Sequence, residues 1–492
     1  MPGKRCSGAR RRRLRRAPTL PGAGMRIDDP TAFSGRIVIL GFGAIGQAIL
    51  PLLLRHVGMP PSRIEIVGPS RGADTLVERS GVGFSKLALD RGNYRDELQR
   101  RLSPGDVLLN LSIDVSSVAL MRWCQEREVL YLDACTEPWP GVHDEPTRPL
   151  EQRTNYRRRE EVLAIQRSGT ACTTALVTLG ANPGLVSFLV KKALLDLAGP
   201  GCATPASRQE WAALARRLDV RAIHVSERDS QRADRHKAQG EFVNTWSVEA
   251  FASEGLQPAE LGWGTHERRF PADGQRHPDG SQAGIFLSRP GLGTRVCSWA
   301  PRAGPFSGYL VTHAESISIA DHLTLGDPAH PDYRPTVHYA YHPCDDAVLS
   351  IRELEGRHWR LQDRSRMLRD DIVEGIDELG VLLMSGSLGA YWYGSALSIE
   401  QARELVPENN ATTLQVAAPL VAGLRWAIAH PHEGVLEPDD LPHEEMLRFA
   451  LPYLGDVVGA RTDWTPLDDG HPLFDEHADR SDPWQFSNTR VP

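Results

Sequence analysis

Three glutamates, a histidine and a tryptophan between residues 227 and 315 have types and spacings that suit proton transfer and cation binding. In VTHAESISI, which begins at Val311, alternation predicts a strand in which His313 and Glu315 share the face of the apolar isoleucines. A histidine or carboxylate aimed inward can take up a proton from a bound substrate. The segment therefore predicts acid–base chemistry in a buried site.

Two further segments place acids and an aromatic ring on inward faces. In RAIHVSE the period-two strand pattern carries Glu227 on the same face as the apolar residues. The segment EFVNTWSVEAFASEG is predicted as one helix capped by Asn244, in which Trp246, Ala250 and Glu254 are spaced by four and share a face. Carboxylates pair with ammonium groups, and an indole face attracts cations. Together these residues favour a pocket for a cationic substrate.

Each of these residues also has a purely structural interpretation. An inward glutamate at the end of a strand is often paired, and Arg221 lies on the predicted face of Glu227. His313 and Trp246, taken singly, fit a hydrogen-bonded or apolar core. Only their combination favours a functional site.

A second cluster could bind zinc, because HYAYHPC brings His338, His342 and Cys344 close together in sequence. No partner cluster with metal-ligand spacing occurs elsewhere, so no metal is predicted. The acidic segment DLPHEEMLRF is explained by a solvated amphipathic helix.

The element that would present a cofactor to this pocket is a glycine turn in GRIVILGFGAIGQAIL. Gly41, Gly43 and Gly46 match the G-x-G-x-x-G pattern directly after a predicted strand and before a predicted helix. The first glycine permits the tight turn, the second a close approach of pyrophosphate, and the third close helix packing. The pattern predicts dinucleotide binding at the helix N-terminus.

The second predicted strand departs from the usual fingerprint of such sites. It ends IVGPSRG, so the acidic residue that usually binds the ribose hydroxyls is absent from Gly68 to Ser70. Arg71 could favour a 2′-phosphate instead. We expect NAD rather than NADP, and the strand end leaves the alternative open.

The chain is predicted to be an α/β protein with a Rossmann-type doubly wound parallel sheet and a second α+β domain. Strand-like and helix-like segments alternate in its first third, and longer alternating strands follow. The expected divisions are a basic disordered tail at 1–34, a dinucleotide-binding domain at 35–181, a substrate and dimerisation domain at 182–389, and a C-terminal helical segment at 390–492 that packs on both.

Length and composition set the remaining limits. A chain of 492 residues with a net charge of -7 does not suggest a nucleic-acid partner, and no apolar run is long enough to predict a membrane span. Seven cysteines without paired spacing favour a reducing cytoplasm. The arginine-rich start predicts disorder, and an overextended start, with Met25 as the true initiator, is favoured over a targeting segment.

Motifs from both predicted domains resemble one known family in the same order. The segments are VILGFGAIGQAILPLL, LLNLSIDVSS, YLDACTEPW, LGANPGLVS, VSERDSQ, FVNTWSVEAFASEG, VTHAESISIADHL and SGSLGAYWYGSALSIEQAR. They are similar to bacterial homospermidine synthases, which are related in architecture to saccharopine reductases. The resemblance extends from Gly35 to about Pro466.

The resemblance implies a homodimeric enzyme that joins two molecules of putrescine into homospermidine and releases ammonia. NAD would take a hydride from the carbon beside one putrescine nitrogen and give an imine. A second putrescine amine would attack the imine, ammonia would leave, and the new imine would take the hydride back. The net reaction would be aminobutyl transfer with the cofactor retained.

The resemblance also assigns residues to roles. It implies His313 and Glu315 for proton transfer, Glu227 and Glu254 for ammonium anchoring, and Trp246 for stabilising cationic imines. It adds Asp114, Glu137 and Asn182 as substrate-binding residues. The expected cofactor-binding residues are Gly41, Gly43, Ala44, Ile45, Gly46 and Ser112.

Two other functions remain open at this stage. A saccharopine-type or carboxy-polyamine dehydrogenase would carry out net oxidation or reduction, and its carboxylated substrates would call for arginines in the pocket. A non-catalytic NAD-binding protein would keep the glycine turn and lose the pocket. The inward acids and Trp246 favour the transferase over both.

Overall fold

A computed structural model describes residues 29–69, 74–142, 145, 147–169, 172–407, 409–467 and 479–491. The whole arginine-rich stretch, together with Ser70 and Arg71, lies outside these residues. The expected tail at 1–34 is too long at its C-terminal end, because Thr31–Ala32 pairs in parallel with Val57–Gly58. Arg425 Nε also donates a hydrogen bond of 2.8 Å to Thr31 Oγ1, which ties this end to the body of the protein.

The described helices follow in chain order. They are α1 Ala44–His56, α2 Asp74–Ser80, α3 Tyr94–Arg101, α4 Ser117–Arg127, α5 Asn155–Arg167, α6 Leu185–Ala198, α7 Arg208–Arg217, α8 Val248–Leu256, α9 Ala314–His322, α10 Asp345–Gly356, α11 Ile399–Leu405, α12 Ala411–Ala429, α13 His443–Ala450 and α14 Phe486–Thr489.

The described strands follow in the same way. They are β1 Thr31–Ala32, β2 Ile37–Leu40, β3 Val57–Gly58, β4 Ile64–Gly68, β5 Gly83–Lys86, β6 Val107–Asn110, β7 Leu130–Asp133, β8 Ala175–Leu176, β9 Val220–Asp229, β10 Arg232–Ala233, β11 Glu241–Asn244, β12 Pro258–Gly262, β13 Gly274–Arg276, β14 Gly284–Pro290, β15 Arg295–Ala300, β16 Gly304–Tyr309, β17 Leu325–Asp327, β18 His330–Tyr333, β19 Thr336–His342, β20 Arg364–Met367, β21 Ile372–Glu374, β22 Ile376–Ser385, β23 Gly389–Ser398, β24 Val435–Leu436, β25 Asp456–Thr462 and β26 Arg490–Val491.

The first domain is built on a parallel sheet, as the alternation of strands and helices predicts. Its order is β24-β8-β7-β6-β2-β4-β5, and every pairing in it is parallel. The central strands are buried on both faces: Ile37 and Ile39 pack toward α1, and Val38 and Leu40 pack on the side of α3 and α4. This two-sided burial confirms the doubly wound sheet.

The second domain contains a mixed sheet of eleven strands. Its main path is β13-β14-β12-β19-β9-β22-β23-β25, with β15, β16 and β26 joined beside it. Strand β9 lies in the middle, where it pairs in parallel with β19 and antiparallel with β22. The face of this sheet that carries Val225 and Tyr339 belongs to the same apolar cluster as α1 and α12, so one core joins the two sheets.

The expected C-terminal helical segment is wrong in one respect. The region from 390 onward contains α12 and α13, and it also contributes strands to both sheets: β23 and β25 extend the large sheet, and β24 forms an edge of the parallel sheet. The alternating YWYGSALS pattern in β23 carries this signal. The segment therefore packs on both domains and also completes their sheets.

The described residues include no helix whose length and apolar composition would let it cross a membrane. The six cysteines in the same part of the chain are free.

Candidate functional site

A cleft of about 500 Å³ lies between the glycine turn and the large sheet. Its first wall is the turn itself, in which Gly41 has a φ of +84° and a Cβ there would lie 2.6 Å from Leu111 O. Gly46 is equally confined, because its Cβ would lie 2.8 Å from Gly41 O. A Cβ at Gly43 would meet nothing within 4 Å. This open space at the start of α1 fits the pyrophosphate of a dinucleotide.

The other expected cofactor residues also lie at this wall. Ala44 and Ile45 begin α1 and line the cleft, and Ser112 lines it after β6, where its hydroxyl donates a bond of 2.6 Å to Asn110 Oδ1. Ser112 follows the C-terminal end of a central parallel strand, where ligands of such sheets bind. Gly46 lies beneath the turn and shapes it without lining the cleft. The residues on the first wall thus fit a dinucleotide.

The opposite wall brings the predicted acids and aromatic ring together. The cleft is lined by Glu227, Trp246, Glu254 and His313, and also by Glu137 and Asn182. Asp114 lies in an adjoining pocket of about 260 Å³ that shares Glu137 and Glu254 with the cleft. Glu315 is buried directly behind His313. All eight residues therefore lie in or beside one cavity.

Glu227 is held by neutral side chains, and the alternative interpretation, in which it pairs with Arg221, is wrong. Asn182 Nδ2 donates to Glu227 Oε2 over 2.9 Å, and Tyr339 Oη donates to the same oxygen over 2.6 Å. Arg221 instead pairs with Asp219 and Asp482. Because Glu227 has no cationic partner among these contacts, its charge remains available for a ligand.

His313 does not lie on a strand, which corrects the prediction from alternation. Strand β16 ends at Tyr309, His313 is the N-cap of α9, and Glu315 lies in its first turn. The helix is buried on every side from Glu315 to His322, so the apolar alternation did not mark a single face. His313 and Glu315 therefore lie together at the N-terminus of α9, and not on one face of a strand.

His313 lies between two carboxylates. Its Nδ1 is 3.3 Å from Glu315 Oε1, and its Nε2 is 3.3 Å from Glu254 Oε2. Burial lowers the pKa of His313, but the charge of Glu315 and the bond to Glu254 outweigh that effect and raise the pKa to about 10. The imidazole is therefore protonated at neutral pH and can donate a proton.

Trp246 is not part of a helix, and Asn244 does not cap one. The segment forms β11, which pairs with β20, then a three-residue connector, and then α8, whose N-cap is Ser247. Trp246 lies in the connector and donates from Nε1 to Tyr341 Oη over 3.2 Å. The indole still lines the cleft together with Ala250 and Glu254.

Two glutamates of the cleft have raised pKa values because they are buried near other acids. Burial, followed by the charges of Glu254 and Asp114, raises the pKa of Glu137 to about 8. Burial, opposed by the bond from Tyr339, raises the pKa of Glu227 to about 7. Both groups can exchange protons with a bound amine near neutral pH.

Comparison with known proteins identifies the family of this chain. The sequence matches the family model described as saccharopine dehydrogenase NADP binding domain at residues 37–176, and the saccharopine dehydrogenase C-terminal domain at residues 180–460. The homospermidine synthase of Blastochloris viridis is 50% identical over 473 residues, which cover 95% of this chain and 98% of that protein. The chain belongs to the homospermidine synthase family.

Two further relatives support the same family assignment. The homospermidine synthase of Mesorhizobium japonicum is 45% identical over 468 residues, with 93% of this chain and 96% of that protein covered. The crystal structure of the homospermidine synthase of Legionella pneumophila in complex with NAD superposes with a TM-score of 0.88 at 46% identity. That match covers 94% of this chain and 99% of that structure.

The cluster considered for zinc does not assemble in this homospermidine synthase family member. His338 lies against His224 with ring centroids 4.0 Å apart, whereas Cys344 packs in a separate apolar cluster at the start of α10. Within the described residues, no group of three or more His, Cys, Asp or Glu side chains could hold a metal ion.

Sequence reasoning missed the tyrosines that support the second wall. Tyr339 lines the cleft and packs its ring on His313 with centroids 4.5 Å apart, and it stacks on Tyr341 at 5.2 Å. Both belong to the same HYAYHPC segment whose histidines and cysteine suggested zinc. The signal was their period of two, which places both tyrosines on the face of β19 that adjoins Glu227.

Proposed function

We propose that the cleft joins two molecules of putrescine into homospermidine with release of ammonia, and that it uses NAD. The observation that carries this proposal is the charge of the cleft lining. Four of the described residues that line it carry carboxylates, namely Glu137, Glu227, Glu249 and Glu254. No described lining residue is Lys or Arg. Such a lining suits a diamine, and it gives no support to a dehydrogenase acting on carboxylated substrates.

NAD is proposed to lie along the glycine turn, held by Gly41, Gly43, Ala44, Ile45 and Ser112. When bound, it supplies an acceptor for one hydride and a donor that returns it. The described end of β4 at Gly68 carries no acid for the ribose hydroxyls, so the choice of NAD over NADP rests on the family. Separate dissociation constants for the two cofactors test that choice, and tighter binding of NADP would reverse it.

Glu227 and Glu137 are proposed to take protons from the substrate amines. An alkylammonium cannot give up a hydride until its nitrogen is deprotonated, and a carboxylate with a pKa near 7 or 8 is matched to that step. Asn182 and Tyr339 orient Glu227 for it. Asp114 is proposed to bind the distal ammonium group beside Glu137.

His313 is proposed as the acid that releases ammonia. After the second amine has added to the imine carbon, the carbon carries two nitrogens, and one must be protonated before its bond to carbon breaks. His313 is protonated between Glu254 and Glu315, and it faces the cleft. The charges of those two carboxylates would also stabilise the cationic imine, over which Trp246 can place its ring.

The decisive experiment compares the amounts of product and cofactor. Purified protein is incubated with putrescine and a trace of NAD, and triamine, ammonia and NADH are measured together. We expect triamine and ammonia in large excess over the cofactor, without accumulation of NADH. Stoichiometric NADH without triamine would identify a net dehydrogenase, and absence of any reaction would indicate a binding protein.

We further propose that the protein is a homodimer, with the large mixed sheet supplying a two-fold interface. Light scattering during gel filtration should give twice the monomer mass. A monomer mass at the concentration used for activity would contradict the proposal.

We also place the protein in the cytoplasm, because the six described cysteines are free and unpaired thiols are typical of a reducing compartment. A fluorescent fusion should show diffuse cytoplasmic signal, and export to another compartment would contradict this location.

A further inference from the structure

Trp246 lies outside the helices and strands. It lies in the connector between β11 and α8, where its ring donates a hydrogen bond to Tyr341 and packs on Phe251 at the edge of the apolar core. A side chain on a three-residue connector can move with that connector. The position of the ring therefore depends on what holds the backbone next to it.

Thr245, the residue before Trp246, is held from two sides in the buried interior. Its Oγ1 donates a hydrogen bond of 2.7 Å to Asp229 Oδ2, and its backbone oxygen accepts one of 2.7 Å from Asn410 Nδ2. Thr245, Asp229 and Asn410 are all buried. The side chain and the carbonyl of one residue are thus fixed to two different elements, β9 and the start of α12.

Asn410 and its neighbour Asn409 together link this contact to the nucleotide-binding domain. Asn410 Oδ1 accepts from Thr413 N over 2.8 Å, which caps α12. The preceding Asn409 donates from Nδ2 to Ala48 O in α1 over 3.1 Å. Helix α1 begins at the glycine turn, so adjacent residues connect that helix to the backbone beside Trp246.

We propose that Thr245 and Asn410 are positioning residues that set the place of the Trp246 ring relative to the glycine turn. This inference rests on the proposed function, because it gives the ring a reacting cation to meet. Catalysis is sensitive to displacements of about 1 Å, which can lower rates by about a hundredfold. A contact that links α1 to the connector would hold cofactor and indole at a constant separation.

A double-mutant cycle tests the proposal through Trp246 itself. Thr245→Val removes the hydroxyl and keeps the shape, whereas Thr245→Ser keeps the hydroxyl. We expect Thr245→Val to lower kcat/KM for triamine formation about tenfold and Thr245→Ser to stay within about twofold of the unchanged protein. In a Trp246→Ala background the same valine should have an effect below about twofold, because the ring it positions is gone.

Asn410→Ser provides a second variant that separates positioning from helix capping. Serine is as good an N-cap as asparagine but lacks the amide that donates to Thr245 O and, over 3.1 Å, to Leu368 O. We expect Asn410→Ser to reproduce the loss seen in Thr245→Val and to lose that effect in the Trp246→Ala background. Thermal unfolding of each variant checks that the fold is retained.

A fluorescence measurement makes the inference independent of activity. The emission of Trp246 is obtained as the difference between each protein and its Trp246→Phe counterpart, and its quenching by acrylamide is compared. We expect Trp246 to be quenched more readily in Thr245→Val and Asn410→Ser. If the unchanged protein formed no triamine, the proposed function would fail, and the quenching would still decide the inference.

Three results would overturn the inference. They are equal losses of activity in the presence and absence of the Trp246 ring, an equal loss in Thr245→Ser, and unchanged quenching of Trp246 in both variants. Each would show that Thr245 and Asn410 stabilise the fold without setting the position of the ring.

Discussion

The two walls of the cleft differ in what they present to a ligand. The wall at the glycine turn offers backbone groups and open space at Gly43, and the described residues 41–45 and Ser112 that line it are uncharged. The wall at the large sheet offers Glu227, Glu254, His313 and Trp246. The first wall is therefore expected to select a ligand by its shape, and the second by its charge. Substitutions at the first wall should change cofactor binding, and those at the second should change chemistry.

The sharpest test of the charged wall is Glu227→Gln. The amide keeps the size and can still accept bonds from Asn182 and Tyr339, but it cannot take a proton. We expect triamine formation to fall about a thousandfold in kcat/KM, the scale of a lost general base, with NAD binding unchanged. Glu355→Gln, on the exposed face of α10, serves as the matched control. A loss below about tenfold would remove Glu227 from proton transfer.

Trp246→Ala tests whether the ring stabilises a cation. A desolvated cation–π contact contributes about 2 kcal/mol, so kcat should fall about thirtyfold, and Trp246→Phe should lose less because a ring remains. Rates at saturating putrescine measure this effect. Equal losses in both variants would indicate that the hydrogen bond to Tyr341 matters more than the ring.

Two glycines separate shape from stability on the other wall. Gly43→Ala should leave the thermal unfolding of the free protein unchanged and weaken NAD binding about tenfold or more, because its methyl group enters open space. Gly46→Ala should lower the free energy of unfolding by about 1–3 kcal/mol, because its Cβ would press on Gly41 O. The comparison of walls would be contradicted if Gly43→Ala bound NAD normally.

The smallest expected effect is a shift in the pH profile. The rate constant kcat/KM should rise as Glu227 and Glu137 lose protons near pH 7 and 8, and should fall near pH 10 as His313 loses its proton. In Glu137→Gln the rising limb should move down toward 7, since only Glu227 remains to titrate there. An unmoved limb would show that Glu137 does not take part.

The same two walls explain how far the sequence could lead. The glycine turn depends on three positions within six residues, so its geometry follows from local spacing. The charged wall combines residues from β9, β19, α8 and the start of α9, which are distant in sequence. The residues of this wall were predicted from inward-facing patterns and from the family resemblance. The secondary structure predicted around two of them was wrong. His313 begins a helix whose burial on all sides hid its period, and Trp246 lies in a connector.

Glu249, which also lines the cleft, shows a further limit of prediction from the sequence. Glu249 was not singled out, because nothing in its helical spacing distinguishes it from a solvated acid. Contacts such as those of Tyr339 with Glu227 and His313 depend on strand register in the large sheet. Register between distant strands is a tertiary property that one sequence does not reveal.

The central claim is that one hydride leaves a diamine and returns to the same carbon while the cofactor stays bound. The most direct measurement uses putrescine that carries deuterium on both carbons next to nitrogen, with an excess of unlabelled NADH in solution, and reads the mass of the triamine. The account predicts that the triamine keeps all the deuterium of two putrescine molecules. A triamine lighter by one deuterium would show that the cofactor exchanges, and would contradict a hydride held and returned within the cleft.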